Sequence, residues 1–185
     1  MFDPRQVAWF DPQFYATPPW CTQNLLSHVR FVGSILEPCC GQGHISQVLV
    51  QHGYEVESSD LVDWGYGAVE NFFLRKRAAD NIVMNPPFGN ALNILRHAQR
   101  LCRRQMAMLL TTAHLSHTKY IPLLWPGLKL LIPLWPRPKF QGNRPPCEVG
   151  WYVWERGYTG DATVICPLPA GPGGRSGPFP APEVR

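Results

Sequence analysis

The stretch SILEPCCGQGHIS, residues 34–46, limits the fold more than any other part of the chain. It reads as a strand ending on an acid, a tight glycine turn and the start of a helix. The same alternation continues along the sequence. HISQVLVQH is a helix ended by Gly53, YEVESSD a second strand and DNIVMN another. A helix from about Ala91 to Arg104 and the strand MAMLLTT follow. Upstream, ATPPW is a helix start, with Thr17 as N-cap, Pro18 at the first helical position and WCTQNLLSHVR as the helix. Strands alternating with helices indicate parallel βαβ units. Beyond residue 111 the pattern changes: KLLIPLW, EVGWYVWE and TVICPL are strand-like with little helix between them. The expected fold is therefore a doubly wound, mostly parallel α/β sheet with antiparallel C-terminal strands.

Length and composition set the limits of that domain. A chain of 185 residues suits one domain with a real core. We place it at residues 15–168, after an N-terminal arm of residues 1–14. Residues 169–185, rich in proline and glycine, are expected to form a disordered tail. Apolar runs such as LLIPLW are too short to span a bilayer, and the first residues lack the pattern of a secretory signal. Six cysteines are present without a C-x-x-C pair, and Cys39 and Cys40 are adjacent. This argues against a disulfide framework or a zinc site. The expectation is a monomeric cytoplasmic protein that binds neither membrane nor metal and uses reduced cysteine as a small core residue.

Charge is unevenly spread. Residues 1–80 carry nine acids against five Lys/Arg. From Asn81 to Cys147 there is no acid, yet there are nine basic residues: Arg96, Arg100, Arg103, Arg104, Lys119, Lys129, Arg137, Lys139 and Arg144. Such asymmetry suggests that one half of the surface faces a polyanion. A solvated basic face without a partner is the plainer alternative.

Two groups of residues point to chemistry. In the first, Gly41 and Gly43 let a ligand approach the backbone, and Glu37 ends the strand where α/β sheets bind ligands. The dinucleotide fingerprint is incomplete, because Ser46 stands at its third glycine position. Asp60 ends the next strand, where a carboxylate can accept from both hydroxyls of a ribose. Two acids around a glycine turn suit a cationic nucleoside better than a phosphate, and S-adenosylmethionine (SAM) has that chemistry. The second group is NIVMNPPFGN, residues 81–90. Neither proline can donate a ladder hydrogen bond, so the strand of Ile82, Val83 and Met84 must stop there. Asn85 and Phe88 then bring an amide and a flat ring to the sheet edge. His114 and His117 read more simply as loop-packing groups than as substrate contacts. Trp125, Trp135, Trp151, Tyr152 and Trp154 read mostly as core, with one or two able to stack on bases.

Together these stretches resemble the class I SAM-dependent methyltransferases, which have a Rossmann-like sheet. They are most similar to the small phage- and prophage-type DNA adenine methyltransferases. EPCCGQG resembles their first motif, YATPPW the motif ahead of it, and NPPF the amino-methyltransferase signature. RPKF and GWYVW also resemble the phage group. The likeness covers roughly residues 12–168. It implies SAM as cofactor, with Glu37, Pro38, Gly41 and Gly43 at its methionine part, and Tyr15 and Thr17 near that end. Asp60 would hold the ribose. Asn71 would stand where an acid usually meets the adenine amino group, and its oxygen can still accept.

The resemblance also implies Asn85, Pro86, Pro87 and Phe88 as the catalytic four, with Asn85 bordering the cofactor as well. Methylating an exocyclic amine needs a nitrogen lone pair that ring conjugation ties up. The Asn85 oxygen and the Pro86 carbonyl can accept from the amine and free it, while Phe88 stacks on the extruded base. No covalent nucleophile is required, so Cys39, Cys40 and Cys147 are read as structural. The implied substrate is adenine in DNA. Lys119, Arg137 and Lys139 would meet phosphates, which position a duplex without reporting its sequence. The chain leaves no room for a separate recognition domain, so a short or degenerate target context is expected. RNA adenine and a protein glutamine amide remain alternatives, because both present a planar conjugated NH2. A catalytically idle nucleic-acid-binding protein is a third.

Overall fold

The computed structural model describes residues 15–116, 120–140 and 148–165. The expected arm and tail therefore lie outside the described residues. The elements run α1 (Pro19–His28), β1 (Ile35–Glu37), α2 (His44–Gln51), β2 (Val56–Asp60), β3 (Ala68–Val69), β4 (Ala79–Met84), α3 (Ala91–Leu101), β5 (Cys102–Thr111), α4 (Ile121–Leu124), β6 (Leu128–Pro133), β7 (Val149–Glu155) and β8 (Thr163–Val164). One eight-stranded sheet takes the order β3-β2-β1-β4-β5-β7-β6-β8. β1 pairs in parallel with β2 and β4, and β4 with β5. β7 runs against both of its neighbours, β5 and β6. The expected doubly wound sheet with an antiparallel ending is what forms.

The core follows from strand periodicity. Along β5, Met106, Met108 and Leu110 face one side while Ala107 and Leu109 face the other. The first side packs on Ile94, Leu95 and Ala98 of α3, spaced to form one helix face, while Asn93, Arg96 and Arg100 point to solvent. The second side packs on Cys21 and Leu25 of α1 and Ile45 and Leu49 of α2. Three buried rings of β7 hold the antiparallel ending. Trp151 donates from its ring nitrogen to the Cys21 carbonyl at 2.8 Å, and Trp154 to the Leu124 carbonyl at 2.7 Å. Tyr152 stacks on Trp154 with centroids 5.9 Å apart.

Several sequence expectations are corrected. Thr17 is not a helix cap: Pro18 occupies that position without a side-chain bond, Pro19 opens the helix, and the Thr17 hydroxyl is engaged elsewhere. α1 stops at His28 rather than Arg30, where Val29 turns extended. β1 is confined to Ile35–Glu37, because Gly33 just ahead of it sits at φ 92, with Asp80 packed where a side chain would be. α3 ends at Leu101 rather than Arg104, since Cys102 turns extended and Arg103 and Arg104 begin β5. Of the aromatics read as mostly core, Trp125 and Trp135 are exposed, at 45% and 62%.

Candidate active site

β1 pairs with β2 on one side and β4 on the other, so the chain direction of the winding reverses between β1 and β4. In α/β sheets the ligand crevice lies at such a point, at the carboxyl ends of the strands. Both groups of residues singled out in the sequence meet at this edge. From β1 come Glu37 and the turn Pro38–Gly43; from β2 comes Asp60; from β4 come Asn85, Pro86, Pro87 and Phe88.

The glycine turn is a left-handed backbone. Gly41 has φ 51 and Gly43 φ 80, and the Gly43 amide donates to the Cys40 carbonyl at 2.7 Å. Asp60 clamps the turn from the neighbouring strand: Oδ2 accepts from the Gly41 amide at 2.9 Å, and Oδ1 from the Val62 amide at 3.1 Å. A carboxylate oxygen accommodates a further donor, so Asp60 keeps capacity for hydroxyls. Tyr66 closes one side of the turn. A side chain at Gly43 would lie 2.5 Å from its ring, and the Cys40 thiol meets the Tyr66 carbonyl at 3.5 Å. Nothing in the sequence marked Tyr66 beyond an aromatic between two glycines.

Glu37 is placed differently from a crevice-facing acid. It is 1% exposed, and its carboxyl accepts from the Ser46 hydroxyl of α2, which in turn meets the Ser58 hydroxyl at 2.6 Å. Burial pushes its pKa up to about 8; the Ser46 hydrogen bonds oppose this, and the Asp60 charge adds to it. The folded protein thus retains a proton that the unfolded chain releases near pH 4.5. Stability falls as pH rises from there to about 8, then levels. Glu37→Gln, which keeps an acceptor for Ser46 without a charge, is expected to raise the melting temperature over wild type. The gap should widen from pH 5 to 8. Calorimetric scans at several pH values check this, and a pH-independent difference excludes buried ionisation as the cause.

Asn85 directly follows β4. Its side-chain nitrogen donates to the Thr17 hydroxyl at 3.1 Å and lies 3.4 Å from the Tyr15 carbonyl. A carbonyl can only accept, so the NH2 faces the residues ahead of α1. Oδ1 points away and has no hydrogen-bond partner among the described residues. Pro86 is buried, and Phe88 begins a short 3-10 turn, Phe88–Asn90, that leads into α3. The Phe88 ring lies 5.6 Å from Tyr15, and Tyr15 lies 6.0 Å from the fully buried Phe140. Tyr15 and Thr17 thus join the Asn85 side of the crevice.

The segment after β3 carries the remaining expected contact. The Asn71 oxygen accepts from the Phe73 amide at 3.0 Å and caps a short turn. Glu70 is held by the buried Arg75, which also grips both oxygens of Glu57.

The basic residues do not share one face. Arg103 and Arg104 begin β5 and Lys129 lies at the start of β6, on the edge opposite Asn85. Arg100 lies in the last turn of α3, which leads to that edge. A cavity of about 360 Å³ lined by Arg104, Trp154, Arg156 and Tyr158 opens at that far edge too. Arg137 and Lys139 follow β6 and so belong to the Asn85 edge. Arg137 pairs with Glu148, Lys129 with Glu155 at 2.8 Å, and Lys139 is exposed. Lys119, Arg144, His117 and Cys147 lie outside the described residues. His114 bonds Thr111 Oγ1 at 2.8 Å, which makes it a loop-packing group. Burial pushes the Cys21 and Cys40 thiols up to about 12 and that of Cys102 to about 11, so none is a ready nucleophile. Among the described residues no helix is long and apolar enough to cross a membrane, and no metal-ligating group of three or more side chains occurs.

No family model matches the sequence, and no curated protein is similar to it at a significant level. Solved structures are similar in fold. One, from Vibrio vulnificus, is described as a modification subunit of a type I restriction enzyme. It shares 16% identity at a TM-score of 0.63, over 90% of this chain and 50% of its own. The present chain thus spans half the length of that subunit. Another, from Pyrococcus horikoshii and described as an RNA methyltransferase, shares 12% identity at 0.55, over 74% of this chain and 80% of its own. A third is a magnesium protoporphyrin IX methyltransferase from Synechocystis with bound SAM. It shares 12% identity at 0.53, over 74% of this chain and 76% of its own. The mostly parallel sheet, with β7 reversed between β5 and β6, is the class I methyltransferase fold of these neighbours.

Proposed function

We propose that the chain is a SAM-dependent methyltransferase acting on the exocyclic amine of adenine in nucleic acid, with DNA as the first candidate. The observation that carries this reading is the fixed orientation of Asn85 at the end of β4. Its NH2 is engaged by Thr17 and the Tyr15 carbonyl, so Oδ1 is the atom left to accept. Such an acceptor, set beside a flat ring, matches a planar amine on an aromatic base. The glycine turn and Asp60 suit SAM: a backbone without side chains for its methionine part, and a carboxylate for its ribose. SAM supplies an electrophilic methyl group on a sulfonium.

This chain's residues prepare the amine. Asn85 Oδ1 and the Pro86 carbonyl accept its two hydrogens and draw the nitrogen out of conjugation. The two prolines keep those acceptors at fixed separation with no competing N–H. Phe88 offers the ring on which the base stacks. Amide oxygens are too weakly basic to take a proton, so the one lost on methylation goes to water. The likeness to a restriction-enzyme subunit and to an RNA methyltransferase supports nucleic acid as the substrate class. Two cations on the Asn85 edge, Arg137 and Lys139, support it too.

The test is incubation with isotope-labelled SAM and DNA or RNA in separate reactions, followed by nucleoside mass spectrometry. N6-methyladenine in the DNA arm is the expected result. Label confined to RNA, or to protein glutamine in a lysate, would move the substrate. SAM binding without label in any polymer would leave an idle binding protein.

A further inference from the structure

We infer that the exposed Trp135 indole is a stacking platform for a base of the substrate strand, within a few nucleotides of the one that Asn85 addresses. This rests on the nucleic-acid reading above and deepens it. Among the described residues two tryptophans are exposed, and strand direction separates them. Trp125 follows α4, whose Leu124 carbonyl is held by Trp154 at the end of β7, so it belongs to the edge away from Asn85. Trp135 follows β6, which runs parallel to β4 and β5, so it emerges on the Asn85 edge.

Its segment, LWPRPKF, is anchored rather than loose. Leu134 is buried and donates from its amide to the Val149 carbonyl at 3.0 Å, while Pro138 and Phe140 are buried further along. Between those anchors, Trp135, Pro136 and Lys139 point outward, and Arg137 is held by Glu148. Phe140 closes the run against Tyr15, whose other neighbour is Phe88. Five residues reach at most about 17 Å to Phe140, and ring contacts of 6.0 and 5.6 Å lead on to Phe88, so Trp135 stays within a few nucleotides of that ring. A large apolar ring left 62% exposed on a pinned segment, beside an outward lysine, has the two elements of single-strand recognition. The ring takes a base face and Lys139 takes the neighbouring phosphate.

The experiment measures binding of a fluorescent DNA single strand and of its duplex, with wild type, Trp135→Ala, Trp135→Phe and Trp125→Ala, across a salt series. Trp135→Ala is expected to weaken binding roughly 5- to 150-fold, the span of one stacked base. Trp135→Phe should recover most of it, and the salt slope should not change, because no phosphate contact is lost. Trp125→Ala should bind like wild type, and calorimetric SAM affinity should be equal in all four. Equal strand affinity for Trp135→Ala and wild type overturns the inference while leaving the functional reading intact. Equal losses for both alanine variants overturn it as well, since they would report a general change. Failure of wild type to bind either polymer overturns the functional reading and this inference together.

Discussion

Asn85→Ala is expected to lower turnover by roughly a hundredfold or more, as loss of one preorganised polar partner does, while SAM affinity stays close to that of wild type. The asymmetry follows from how the side chain is held. Its NH2 is committed to Thr17 and Tyr15, and only Oδ1 faces outward, so truncation removes the acceptor proposed for the target amine. Truncation also leaves the Thr17 hydroxyl, 3% exposed, without its donor, at a cost to stability of about 1 kcal/mol. Asn85→Asp is the sharper variant. A carboxylate cannot donate, so the oxygen that replaces the NH2 is set against the Tyr15 carbonyl and the side chain must turn. Its turnover should fall with that of alanine even though it keeps an oxygen. Single-turnover rates with SAM-saturated enzyme measure the chemical step. Near-normal rates in either variant would remove Asn85 from the mechanism.

What the sequence made legible was local. The EPCCGQG turn and the NPPF ending each combine a strand with residues that must break it, so both could be placed at a carboxyl edge without tertiary knowledge. The strand–helix alternation then implied a parallel sheet that brings those edges together. What stayed hidden depended on contacts between distant segments. Thr17 has every local mark of a helix cap, yet the Asn85 amide takes its hydroxyl across the site. Glu37 reads as an acid poised for a ligand, yet Ser46, marked only as a missing glycine, and Ser58, in no motif, draw it inward. The acid-free run from Asn81 to Cys147 reads as one basic face. It is not one, because β5 is ten residues long and at about 3.3 Å per residue sets Arg103 and Arg104 roughly 25 Å from the edge where the chain continues. Trp125 and Trp135 could not be told apart from core rings by alternation alone; exposure and strand direction were needed.

Asp60→Ala carries the second large expected effect, a loss of SAM affinity of about 1–3 kcal/mol, or roughly 5- to 150-fold. Two contributions enter, and the geometry separates them. One is direct: a carboxylate at the end of β2 would accept from the ribose hydroxyls. The other is indirect: Asp60 Oδ2 holds the Gly41 amide and Oδ1 the Val62 amide, so its removal frees two backbone donors at the turn against which the methionine part would lie. Only the direct part depends on hydroxyls in the ligand. Calorimetry with S-adenosylhomocysteine and with its 2′,3′-dideoxy analogue, on wild type and variant, forms a cycle that isolates it. If the ribose contact dominates, wild type should lose affinity for the dideoxy ligand and the variant should bind both ligands alike. If the turn dominates, the variant should lose affinity for both ligands equally, and its melting temperature should drop as the two amides lose their acceptor. Unchanged affinity for S-adenosylhomocysteine in a folded Asp60→Ala protein would take Asp60 out of the cofactor site altogether. The glycine turn would then be the only part of the cofactor reading still standing.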